Sequence, residues 1–260
     1  DYTAGDALDG TGTCNIAAGL NALGAATTGD DNVAIGQLAL GAGVTTGGSN
    51  IAIGKTSADA LTSGNCNIAM GTSALGAATT GSKNIAIGQF ALGCGTNTAS
   101  DNIGIGESAA ADITSGACNV ALGYAALANS TDGNDNVAIG RYALFNSDGD
   151  GDFNVAIGCN AMGGGDVSGV SNIGIGKNSA DALTSGACNV AIGESALGGA
   201  TTGCENIGIG RSAFGGTLTG DDNIGIGVGA GLSNTSGACN IAIGKSALNS
   251  GTTGSQNIGI

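Results

Sequence analysis

An all-β fold, a parallel β-solenoid of about fifteen coils of 17–18 residues each, follows from three features of this 260-residue sequence. The first is a repeat: Asn followed by Ile or Val returns at Asn15, Asn32, Asn50, Asn67, Asn84, Asn102, Asn119, Asn136, Asn154, Asn172, Asn189, Asn206, Asn223, Asn240 and Asn257. The second is its period, ten intervals of 17 and four of 18 residues, too short for a helix pair and too regular for an ordinary globular domain. The third is the run after each Asn, in which a large aliphatic, a small residue and a second aliphatic alternate before a Gly. Alternation of period two marks a short strand.

Each element of the coil can be read from its column. Counting every Asn as position 0, position 1 is always Ile or Val, position 2 always Ala or Gly, and position 3 Ile, Leu or Met except at Ala18. Position 4 is Gly in all fourteen coils that reach it, which supplies a bend or a close backbone approach. Most coils then place an apolar residue at position 8, among them Leu40, Leu75, Leu92, Met162 and Phe214; others move it to position 11, as at Leu61, Ile113 and Leu183. With a rise of about 4.8 Å per coil, fifteen coils predict a rod roughly 70 Å long. No linker interrupts the pattern, so residues 1–260 read as one repetitive domain, itself a segment of a longer fibre in one reading.

The columns carry the first functional expectations. A stack of identical side-chain amides can both donate and accept, so Asn15, Asn32, Asn50, Asn67, Asn84, Asn102, Asn119 and Asn136 are expected to form a structural ladder at one corner. Positions 1 and 3 point to one side of the strand and position 2 to the other. With the aliphatics filling the interior, Ala34, Ala52, Ala69, Ala86 and Gly104 would lie outside as a small-residue contact with another chain; the competing reading is a flat coil whose walls touch through these residues. Position 5 holds five of the six cations, Lys55, Arg141, Lys177, Arg211 and Lys245, together with Glu107, Glu194, Gln37 and Gln89, and reads as a solvated face.

Composition removes several functions. A net charge of −14 with six scattered cations argues against nucleic acid, and no apolar run reaches the roughly 18 residues of a membrane helix. Without His, the commonest general base and zinc ligand are missing. No coil clusters Asp, Lys or Arg as an enzyme cleft on a β-helix requires, so the chain is expected to be non-enzymatic and to need no cofactor.

Three features stand outside this frame. Cys14, Cys66, Cys118, Cys188 and Cys239 precede an Asn; at about 14 Å apart along the stack they cannot pair within one chain, which leaves inter-chain disulfides or simple space-filling. Cys188 and Cys204, on adjacent coils, are near enough to consider. Asp148, Asp150 and Asp152 alternate on a Gly-rich loop, a pattern that suits calcium, although a solvated turn is the preferred reading. Thr-Thr-Gly steps, as at Thr79 and Thr201, would bind an ice or sugar lattice if they aligned, but counted forward from Asn they shift, as at Thr45, and turns are the default.

Residues 1–14 read as the remainder of a coil like the one that begins at Asn257 and stops at Ile260, since "TAGDAL" parallels "TSADAL". Such matching ends predict head-to-tail stacking of chains.

The steps "NVAIG" and "NIAIG", and the run "NIAIGKSALNSGTTGSQNIGI", resemble the head repeats of trimeric autotransporter adhesins and repeats of phage tail-fibre proteins. The resemblance spans essentially the whole chain. It implies a parallel β-roll of three chains about one axis, with the small or aliphatic strand face as trimer contact. The sequence-based expectation is therefore a structural subunit of an extracellular, cell-surface or virion-surface fibre. Its partner is itself, as homopolymer or homotrimer, through the solenoid ends and the Ala/Gly face. The alternative is an adhesin head or tail-fibre module that reads a cell-surface glycan or protein receptor; an ice-binding solenoid is a more distant one.

Overall fold

The computed structural model describes residues 12–24, 28–41, 43–147, 151–250 and 253–260. Its strands follow the repeat: β1 (Ile16–Ala18), β2 (Val33–Ile35), β3 (Ile51–Ile53), β4 (Ile68–Met70), β5 (Ile85–Ile87), β6 (Ile103–Ile105) and β7 (Val120–Leu122) lie in a first compact unit, residues 1–132. A second unit, residues 133–260, holds β8 (Val137–Ile139), β9 (Val155–Ile157), β10 (Ile173–Ile175), β11 (Val190–Ile192), β12 (Ile207–Ile209), β13 (Ile224–Ile226), β14 (Ile241–Ile243) and β15 (Ile258–Gly259). Every strand is one coil's contribution to a parallel ladder, so the protein is an all-β solenoid. Among the described residues there is no helix, and hence none long and apolar enough to cross a membrane.

Register is one full repeat. Ile51 pairs with Ile68, Ala52 with Ala69 and Ile53 with Met70; in the second unit Ile207 pairs with Ile224 and Gly208 with Gly225. The backbone bonds continue around the coil, as from Leu40 N–H to Ser57 O at 3.0 Å and from Thr46 N–H to Thr62 O at 2.7 Å. Coils of 17 and 18 residues thereby share one ladder. The Gly that ends each strand is required twice over at Gly36: its φ is +132°, and a Cβ there would stand 2.5 Å from Gly54 O.

The strand faces are reversed from the sequence-based expectation. The small residue points inward: Ala34, Ala52, Ala69 and Ala86 are completely buried, and a Cβ on Gly104 would lie 2.9 Å from Ala109 O and 3.3 Å from Leu92 Cγ. These residues are the interior wall and cannot contact another chain. The reason is thickness. The opposite wall brings Ala39 and Leu40, or Ala91 and Leu92, fully buried against the sheet, and only Ala or Gly fits between. The aliphatics on either side are driven outward, with Ile35 at 41% and Ile105 at 39% exposure.

Candidate functional site

Three arrangements organise the surface and corners of the coils, beginning with the Asn column. Along the column the backbone N–H of one Asn donates to the side-chain oxygen of the Asn one coil earlier, as from Asn32 to Asn15 at 2.8 Å, Asn50 to Asn32 at 2.9 Å and Asn67 to Asn50 at 3.0 Å. The amide nitrogen donates onward, as Asn50 Nδ2 does to Gly64 O at 2.9 Å and to Asn32 Oδ1 at 3.1 Å. Asn84 and Asn102 repeat the pattern toward Ala99 O and Gly116 O; Asn119 reaches back to Asn102, and Asn136 Nδ2 donates to Gly151 O. These side chains from Asn32 to Asn240 are buried and hydrogen-bonded, so they hold structure and offer nothing to a ligand.

A second ladder, two residues before each Asn, runs in the opposite sense and was not foreseen. Gly48 N–H donates to Asn65 Oδ1 at 2.8 Å, Asn65 N–H to Ser82 Oγ at 3.0 Å, Cys204 N–H to Asp221 Oδ1 at 2.8 Å. Thr13 donates both N–H and hydroxyl to Asp30 Oδ1, at 2.7 and 2.9 Å, and holds that carboxyl below its ordinary pKa. Asp152 belongs here: its Oδ1 accepts from Asn134 N–H at 2.7 Å and Asn134 Nδ2 at 3.3 Å. Of the calcium triad, Asp148 and Asp150 lie outside the described residues, and among the described residues no three His, Cys, Asp or Glu side chains gather as a metal site. The signal in the sequence was a column of short acceptors, visible only when counted backward from Asn.

The same backward count aligns the threonines. Thr45, Thr62, Thr79, Thr114, Thr184 and Thr201 share one column, and the hydroxyls of Thr45, Thr62, Thr114 and Thr184 donate to the neighbouring coil, as Thr62 Oγ1 to Thr79 O at 2.9 Å and Thr184 Oγ1 to Thr201 O at 3.0 Å. A hydroxyl used in this way presents no free lattice.

The cysteines before Asn are exposed and unpaired at Cys14, Cys66, Cys118, Cys188 and Cys239, each with φ between 58° and 61°. Cys188 and Cys204 are both free thiols; Cys204 Sγ instead accepts from Ala187 N–H at 3.4 Å. Partial burial and the neighbouring Asp112 carboxylate push the Cys94 thiol above its ordinary pKa.

The third arrangement is the outer strand face. In each unit two rows of Ile, Val, Leu or Met, at positions 1 and 3, stand half-buried to exposed, one pair per coil, with Ile51 at 37%, Met70 at 39%, Ile226 at 41% and Ile243 at 41%. At about 4.8 Å between strands and 3.3 Å per residue, this is roughly 300–400 Å² of flat aliphatic ground on each unit. No family model, curated protein or solved structure matches this chain, so the reading of its function rests on this geometry.

Proposed function

We propose that this chain is a non-enzymatic structural subunit of an extracellular or virion-surface fibre, and that copies associate through the aliphatic strand face. The outward Ile and Val rows carry this reading. A contiguous apolar patch of this size is comparable to the largest that a typical monomer exposes, and such a patch is often a contact surface. At about 25 cal/mol per Å² of apolar area removed from water, covering one unit's face contributes on the order of 8 kcal/mol before the entropy of association is subtracted. The face repeats at one strand spacing, so a second copy, flat and of the same period, matches it along its length. Either a pair or three chains about an axis satisfies this, and the resemblance of "NIAIG" to adhesin and tail-fibre repeats favours three.

Sedimentation equilibrium of the intact chain tests it. The expected result is a mass that is a multiple of 24.2 kDa, dropping to the monomer for Ile105→Lys with Ile226→Lys while circular dichroism is unchanged. A wild-type monomer at high protein concentration overturns it.

A further inference from the structure

One coil of the second unit breaks the repeat on its outer side, and the break forms a groove. Position 5 on neighbouring coils holds Glu194, Arg211 and Lys245, but on the coil of β13 it holds Val228; position 6 holds Ser195, Ser212 and Ser246, but there it holds Gly229. A Cβ on Gly229 would meet nothing nearer than Ser246 Oγ at 3.9 Å, so the space a side chain fills elsewhere is open. The result is an open depression of about 440 Å³ whose lining is apolar at Val228 and Leu232 and polar at Ser195, Ser212, Ser246, Glu194 and Arg211. Ladder bonds from Ser212 N–H to Glu194 O, Gly229 N–H to Arg211 O and Ser246 N–H to Val228 O, all 2.9 Å, fix the spacing of these residues.

We infer that this groove binds a single hexuronate unit of an acidic polysaccharide. Its volume falls in the range of small-ligand sites. Arg211 offers the planar fork that pairs with a carboxylate in bidentate fashion, and Lys245 adds a second cation two coils along. Lys177, Arg211 and Lys245 against Glu194 make this column locally positive on a chain of net charge −14, which singles it out as a place for an anion. The carboxylate of Glu194 accepts from ring hydroxyls and the hydroxyls of Ser195, Ser212 and Ser246 accept from and donate to them, while Val228 (41% exposed) and Leu232 (37%) take the C–H face of the pyranose. The groove lies past the strand-ending Gly210 and Gly227, off the aliphatic face, so this inference is independent of self-association.

The test is titration of the intact chain with sodium glucuronate, followed by backbone amide NMR, with glucose and sodium acetate as controls. Saturable shifts at Ser212 and Gly229 with glucuronate alone are expected. Gly229→Ser, which restores the residue its neighbours carry and so keeps the fold, is expected to abolish them. Arg211→Gln, a residue this column already uses at Gln37 and Gln89, should weaken binding at least tenfold. No saturable shift, equal shifts from glucose or acetate, or undiminished binding by Gly229→Ser overturns the inference.

Discussion

Phe214 is buried because Gly231 has no side chain. The ring occupies position 8 of its coil, where most coils hold Leu or Met, and the following coil places Gly231 at that position. A Cβ on Gly231 would run into Phe214 Cε1, and one on Gly225 would stand 2.6 Å from Cε2. One oversized residue is thus matched by two absent side chains on the next coil. Gly231→Ala is expected to lose about 2–3 kcal/mol from overpacking and from its φ of +63°. Phe214→Leu frees the space, so the double variant should lose less than the two single losses combined. A double-mutant cycle on urea midpoints reads this coupling; strict additivity would show that the two positions do not share a space.

The Asn50 side chain takes part in four ladder bonds, accepting from Asn67 N–H and Nδ2 and donating to Asn32 Oδ1 and Gly64 O. Asn50→Ala leaves Asn67 N–H and Gly64 O buried without these partners. Each orphaned group costs about 1–3 kcal/mol. The expected loss is on the order of 2–6 kcal/mol; Asn50→Asp keeps an acceptor for Asn67 N–H but is also destabilising, because a carboxylate cannot donate to Gly64 O and would be a buried charge. Thermal unfolding checks it; a loss below 1 kcal/mol would make the ladder ornamental.

The Asn ladder and the strand positions were legible because a constant period fixes a parallel register, whatever the loops do. Which strand face lies inside was not. Alternation separates Ala52 from Ile51 and Ile53 but does not say how far away the opposite wall stands, and here that distance admits only Ala or Gly. The acceptor ladder through Asn65, Ser82 and Asp221 was hidden for a different reason. The extra residue of an 18-residue coil falls before it, so counting forward from Asn scatters a column that is straight in space. The groove at Gly229 depends on a side chain that is missing, which no motif announces.

Two carboxyls shift in opposite directions and predict opposite pH behaviour. In the folded chain Asp30 is lowered from 3.8, first by the Thr13 N–H and then by its hydroxyl. Its contribution is therefore complete above the unfolded value and is lost as pH falls through the lower folded value. Asp181, which accepts from Asn160 Nδ2, is raised from 3.8 by burial, partly opposed by the Gly164 N–H. A raised acid favours the fold at pH below the unfolded value and loses that advantage as pH rises through the folded one. Asp181→Asn should stabilise the protein at pH 7 and leave it unchanged near pH 2, whereas Asp30→Ala should cost more stability at pH 7 than at low pH, where the carboxyl is protonated. Carboxyl carbon titration should place Asp30 below and Asp181 above 3.8; the reverse order would refute both assignments.

Asn234 occupies position 11, where comparable coils carry Leu61, Ile113 and Leu183, and its Oδ1 is buried without a hydrogen-bond partner. Its Nδ2 donates to Asn223 Oδ1 and Gly237 O, both at 3.2 Å, but neither depends on it. Gly237 O also accepts from Asn223 Nδ2 at 2.9 Å, and Asn223 Oδ1 from the N–H and Nδ2 of Asn240 at 3.0 Å. Replacing this side chain therefore orphans nothing and removes an existing orphan. Leu is nearly the same size, and a small cavity bounded by Phe214, Gly231 and Leu248 leaves it room to adjust. Asn234→Leu is expected to raise stability by about 1–3 kcal/mol, the desolvation cost of one unpaired polar atom. Denaturant unfolding would show the midpoint moving up at an unchanged slope; a fall in the midpoint would mean that Asn234 holds its corner through bonds the other ladder members cannot replace.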